Sequence, residues 1–160
     1  MSDRAEIDRA LIGTSAAPFA VDVEKGAIRR FAEAIGDTAE IYFDEAIARS
    51  FGYPGIVAPP TFPTTFRPPS KPAWARGLDE GRVLAGEQGF RYLRPIVAGD
   101  RLQCELRLTD VQDKLSSKFS MELMIQDLII TAPSGDVVCV NRRVVIYRGR
   151  ATSLAQGASS

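Results

Sequence analysis

The side chain that most often moves protons near neutral pH is missing: the 160 residues contain no histidine. Only imidazole has an unperturbed pKa inside the physiological range. Its absence removes Ser-His-Asp and Cys-His nucleophile systems and the HExxH zinc site. The two thiols, Cys104 and Cys139, stand alone in apolar stretches, with no basic neighbour to activate either and no paired spacing for zinc. No metal and no cofactor is expected. Chemistry, if present, falls to other groups. Asp37 follows Gly36 in a helix-ending pattern, where a carboxylate ordinarily bonds nearby backbone amides. Tyr42, with an ordinary pKa of about 10, is mostly protonated at neutral pH and is a poor general base, though its hydroxyl can donate a hydrogen bond. Val57-Ala58-Pro59-Pro60-Thr61 reads as a loop stiffened by two prolines. Glu87 and Gln88 lie on a predicted strand, facing solvent or pairing across a sheet.

The elements that must hold these residues change character along the chain. Phe19 to Val23 alternates like a short strand. Glu24 to Ile35 then takes helical spacing, with Ala27, Ile28, Phe31, Ala34 and Ile35 as the apolar face and Gly36 as the stop. A second short helix is expected over Asp44 to Arg49, capped by Asp44, before the turn Gly52-Tyr53-Pro54-Gly55. Further helical turns are expected near Thr61 to Phe66 and Trp74 to Leu78, separated by a proline-rich loop over Arg67 to Lys71. From Arg82 onward the texture is β-branched and partly alternating. Strands are predicted over Val83–Phe90, Arg101–Val111, Phe119–Thr131 and Val137–Arg148, the last three as an antiparallel meander. This is an α+β pattern in which the helix is most economically buried on one face of a curved sheet.

Bulk properties set the outer limits. A hydrophobic content of 45% over this length closes one core but not two. We therefore read Met1 to Ala17 as a lead-in, 18–150 as a single domain and Ala151 to Ser160 as a small, polar, disordered tail. Lys plus Arg and Asp plus Glu both number 20, so no net field draws nucleic acid or an anionic membrane. Apolar runs are broken by charge well short of the ~20 residues that span a bilayer. Two unpaired cysteines and no secretory signal suit a reduced cytoplasmic setting.

Three linked segments carry a resemblance. Ile28-Arg29-Arg30-Phe31-Ala32-Glu33-Ala34-Ile35-Gly36-Asp37, with Ile41-Tyr42 and Asp44-Glu45-Ala46-Ile47-Ala48, resembles the hydratase motif of MaoC-like dehydratases. Gly52-Tyr53-Pro54-Gly55-Ile56-Val57-Ala58-Pro59-Pro60-Thr61-Phe62-Pro63 resembles the N-terminal-type, FAS1-like dehydratase domain of that superfamily, which includes the R-specific enoyl-CoA hydratases. Gly86-Glu87-Gln88-Gly89-Phe90-Arg91-Tyr92, Arg94-Pro95-Ile96 and Ala98-Gly99-Asp100 match the family's strand and following turn. The likeness runs from about Val21 to Arg148.

What it implies is a hot-dog fold, a curved antiparallel sheet wrapped around a central helix. It also implies a homodimer or heterodimer with another hot-dog subunit that hydrates or dehydrates an acyl-CoA or acyl-carrier-protein thioester. The family's chemistry uses an Asp to orient water or the substrate hydroxyl and a nearby His to move the proton. Here those positions hold Asp37 and Tyr42, and the Asn-Pro usually between them is Ala39-Glu40. A hydroxyl over the thioester carbonyl would stabilise developing negative charge, leaving Asp37, Glu40 or another subunit as the proton acceptor. In relatives, amides around the proline turn point at the thioester oxygen. Pro59 and Pro60 cannot donate, so Ala58, Thr61 or Phe62 must. Gln88 is carried over as a further substrate-binding residue, although relatives with a His before Gly-Glu-Gln differ from this chain, which has Ala85. Phe62, Phe66 and Trp74 fall where relatives line or lid the acyl tunnel, and equally suit a core or a dimer interface. Arg91, Arg94, Arg142, Arg143 and Arg148 supply cations enough for a CoA or carrier phosphate, though arginines on strands commonly form a solvated face. The implied function is a hydro-lyase subunit dependent on a His-bearing partner. The alternative is a non-catalytic thioester-binding or scaffolding domain.

Overall fold

A computed structural model describes residues 6–115 and 120–149. The polar tail from Ala151, the strand start at Phe119 and the first five residues of the lead-in lie outside the described residues. In chain order the main elements are β1 (Phe19–Asp22), α1 (Lys25–Ile35), α2 (Glu45–Ser50), β2 (Val83–Tyr92), β3 (Arg101–Leu115), β4 (Ser120–Thr131) and β5 (Val137–Arg148). The strands form one sheet in the order β1-β3-β4-β5-β2, every neighbouring pair antiparallel.

Period-two patterning explains which face is covered. On β3, Leu102, Cys104, Leu106 and Leu108 are buried while Gln103 and Arg107 are exposed, and β4 buries Met124, Leu128 and Ile130 on the same face. Ile28 and Ala32 of α1, both fully buried, enter the same apolar cluster as these strand residues. The helix therefore lies against the concave side of the sheet, as the α+β hot-dog expectation required. Its apolar stripe is narrower than its sequence spacing suggested: Ile28 and Ala32 are covered and Phe31 is half-buried, but Ala34 and Ile35 are exposed. The last turn runs past the sheet it packs on.

Turns and caps follow local chemistry. Gly36 ends α1 with a left-handed φ of 73°, and the Asp44 carboxylate caps α2 by accepting from the amides of Ala46 (2.7 Å) and Ile47 (3.0 Å). The expected helical stretches after the proline loop are single 3-10 turns, Phe62–Thr65 and Ala73–Ala75. The described lead-in is tied down. Gly13 and Ala16 donate to the carbonyls of Leu108 and Leu106, and the Glu122 carboxylate accepts from the amides of Glu6 (2.8 Å) and Ile7 (3.3 Å). Residues 13–16 thus extend the β1 edge along β3.

Candidate functional site

The left-handed turn at Gly36 places Asp37 directly beyond α1, with the Asp37 amide donating to Ala32 O at 3.0 Å. One Asp37 carboxylate oxygen accepts from the Ala39 amide at 3.1 Å, closing an Asx turn that leads into the 3-10 turn Glu40–Tyr42. That turn directs Tyr42 inward, where it is 7% exposed. Burial, then the neighbouring Asp37 carboxylate, holds the Tyr42 phenol above its ordinary value. Tyr42 is therefore a neutral hydroxyl throughout the physiological range. It can donate a hydrogen bond and cannot serve as a base.

Tyr42 forms part of the wall of a cavity of about 370 Å³, together with Tyr53, Ala58, Pro60, Tyr92 and Arg94. The proline loop is clamped across it from both sides. Val57 donates to Ile41 O (3.2 Å), Ala58 to Ile96 O (2.8 Å), and Ala98 to Ile56 O (2.8 Å). The Tyr92 hydroxyl donates to Pro60 O at 2.8 Å. Arg94 is held by the Asp100 carboxylate at 2.8 and 3.1 Å, which also accepts from the Val97 amide at 3.0 Å. Its charge is already matched, as is that of Arg142, paired with Asp127 at 2.7 Å.

The structure puts Tyr42 and Ala58 in one cavity wall, with Asp37 beside Tyr42 and Thr61 next to the wall residue Pro60, and carries the Phe62 ring and Gln88 away from it. Ala58 contributes its side chain to the wall, but its amide is spent on Ile96. The Phe62 amide donates to Pro59 O at 2.9 Å, and the Phe62 ring lies edge-on to Phe31 and Phe66, each at 5.5 Å, inside the core. Of the three amides expected to donate, only that of Thr61 has no acceptor among the described residues. Gln88 does not reach this cavity. It sits on edge strand β2, and its amide nitrogen donates to the buried Asn141 at 3.1 Å. Tyr53 and Arg94 were not singled out for this site from the sequence. Tyr53 stands in the signature segment with no role of its own legible there beyond the turn, and Arg94 is brought in by its pairing with Asp100. Among the described residues no group of three metal-binding side chains converges, and no helix is long and apolar enough to cross a membrane.

Residues 10–141 match the family described as FAS1-like, dehydratase domain region. This chain belongs to the FAS1-like dehydratase family. A UPF0336 protein of Saccharopolyspora erythraea is 34% identical over 150 residues, covering 91% of this chain and 94% of its own length. Among solved structures, a C-terminally truncated HadBC (3R-hydroxyacyl-ACP dehydratase) complex from Mycobacterium tuberculosis superposes with a TM-score of 0.74 at 23% identity, over 85% of this chain and 96% of that one. A MaoC-like dehydratase superposes with a TM-score of 0.71 at 26% identity, over 86% of this chain and 42% of that one. The hot-dog fold and the MaoC-like resemblance therefore hold for the FAS1-like dehydratase domain described here.

Proposed function

We propose that this chain is the substrate-holding subunit of an acyl-thioester hydratase/dehydratase, the thioester being that of CoA or a carrier protein, and that a second hot-dog subunit supplies the proton-moving imidazole. The observation that carries this reading is the neutral, buried Tyr42 hydroxyl beside Asp37, at the position where the resemblance places a histidine. In this reading Tyr42 and the free Thr61 amide donate to the thioester oxygen as negative charge develops there. Asp37 orients the water or substrate hydroxyl. The HadBC complex, a dehydratase built from more than one kind of subunit, supports the expectation of a hot-dog partner.

A second reading, a thioester-binding scaffold without turnover, is favoured by one detail: Asp37 already accepts the Ala39 amide in its own turn. Loss of enoyl absorbance from crotonyl-CoA and a longer enoyl-CoA separates the two. The purified chain alone is expected to be silent. Addition of a histidine-bearing hot-dog partner should give turnover, and Asp37→Ala in this chain should then lower the rate at least about tenfold. Turnover by this chain alone, abolished by Asp37→Ala, would replace the partner-dependent reading with a histidine-free enzyme. Tight acyl-CoA binding without turnover beside the partner would establish the scaffold.

A further inference from the structure

A larger cavity, about 550 Å³, lies away from Tyr42 between the concave face of the sheet and the segment 67–80. Most of its floor is apolar, from Leu106, Met124 and Val145. Across that floor Gln126 on β4 faces Arg143 on β5, whose neighbour on β2, outside the lining, is Gln88. A guanidinium on the inner face of a sheet is costly unless something pairs with it. Here nothing among the described residues does. Arg143 Nε is buried with no acceptor, and among the described residues neither Arg143 nor Arg67 across the cavity has an ion-pair partner.

Two further features point the same way. Trp74, 3% exposed, lines the cavity, and its indole N–H is also buried without an acceptor. At the wall Lys71 and Glu80 pair with each other, so the lining keeps two uncompensated positive charges, Arg67 and Arg143. Burial, and after it repulsion by Arg67, holds the Arg143 pKa down, though a guanidinium stays charged. Donors without acceptors and cations without anions, set in an apolar chamber, describe a receptor for an apolar body with one anionic end.

We propose that this cavity binds a carboxylate-bearing ligand, its anion received by Arg143 and Arg67 beside the Trp74 N–H and its apolar body lying on Leu106, Met124 and Val145. A carboxylate fits the planar guanidinium fork. It reaches the site either as a free fatty carboxylate or as the far end of an acyl thioester. The second source rests on the function proposed above, whereas the first does not.

Trp74 is the only tryptophan in the chain, so its fluorescence reports this cavity without any turnover. The full chain is titrated with octanoate, octanol, octanoyl-CoA and suberyl-CoA. Octanoate should shift the emission saturably, with octanol requiring at least about tenfold more. Arg143→Gln should weaken octanoate at least about tenfold and leave octanol unchanged, and the exposed Arg67→Gln should weaken it severalfold. Arg67→Gln and the octanoate–octanol comparison decide the matter even if Arg143→Gln does not fold. Suberyl-CoA binding more tightly than octanoyl-CoA, with the advantage lost in the arginine variants, identifies the acyl terminus as the source. Octanoate binding without that advantage identifies a free carboxylate. Equal binding of octanol and octanoate, or no response to octanoate and suberyl-CoA, overturns the proposal and leaves the reading of Tyr42 and Asp37 standing.

Discussion

At the residue scale, burial sets the protonation of the groups in this chain that might otherwise react. Cys104 and Cys139 are both buried on the inner face of the sheet, and burial pushes their thiols up from 9.0 to about 12 and about 11. For Cys139 the Tyr92 hydroxyl and the Arg91 charge offset part of the effect. Folding thus favours the protonated thiol. The stability this contributes is fully present below pH 9, the ordinary thiol value, and is lost as pH rises through 11 and 12. The raised phenol of Tyr42 acts in the same direction. The urea midpoint should therefore be level on the neutral side of pH 9 and fall above it, and a thiol reagent should label neither cysteine until the chain unfolds. A midpoint that climbs through the alkaline range would contradict the assignment of both thiols as neutral core groups. That neither thiol is a nucleophile was legible from their isolated positions. The burial of Tyr42 was not, because it depends on the 3-10 turn that follows Asp37.

At the scale of the element, the register shift between Ala85 and Glu87 gives glycine a specific task. A Cβ on Gly86 would sit 2.8 Å from Val144 O and 3.1 Å from the Ile146 side chain. The carbonyl belongs to the β5 backbone and cannot swing away, so Gly86→Ala should part β2 from β5 at a cost of about 1–3 kcal/mol. Gly89→Ala on the same strand meets nothing within 4 Å and serves as the control. Urea midpoints compare the two variants, and equal losses would mean that strand propensity, not the close approach, is what the glycine serves. Much at this scale could be read in advance. The bounds of β5 and the Gly36 stop of α1 come straight from alternation, helical spacing and turn chemistry. What could not be read is which side of α1 the sheet covers beyond Ala32, because Ala34 and Ile35 have the right spacing but no strand above them.

For the whole molecule, the outer edge of β2 is the open question that packing poses. Within the described residues β2 pairs only with β5, and Val83 and Leu84 remain 36% and 43% exposed. An unpaired, partly apolar edge invites another strand. Light scattering should give about twice the 17.4 kDa chain mass, or a hetero-assembly when the partner is present. Leu84→Lys should shift the homo-assembly to the monomer. A wild-type chain that stays monomeric at tens of micromolar would remove the association expected of the fold.

The α+β class was legible in period-two strands and one amphipathic helix, which are local patterns, while the hot-dog fold and the family came from the resemblance carried by the proline-rich loop and its flanking motifs. The sequence by itself also determined that no imidazole can act within this chain. Which predicted site residues share a cavity depends on the folded chain: Tyr42 and Ala58 do, with Asp37 beside Tyr42, whereas Gln88 and the Phe62 ring do not. Only the tertiary structure revealed that Arg143, far along the chain from Arg67 and Trp74, joins them around one chamber. The reason is physical. Alternation fixes which face of its own strand a side chain takes, but the cross-strand neighbours that leave a guanidinium unpaired arise only when the sheet closes over the helix.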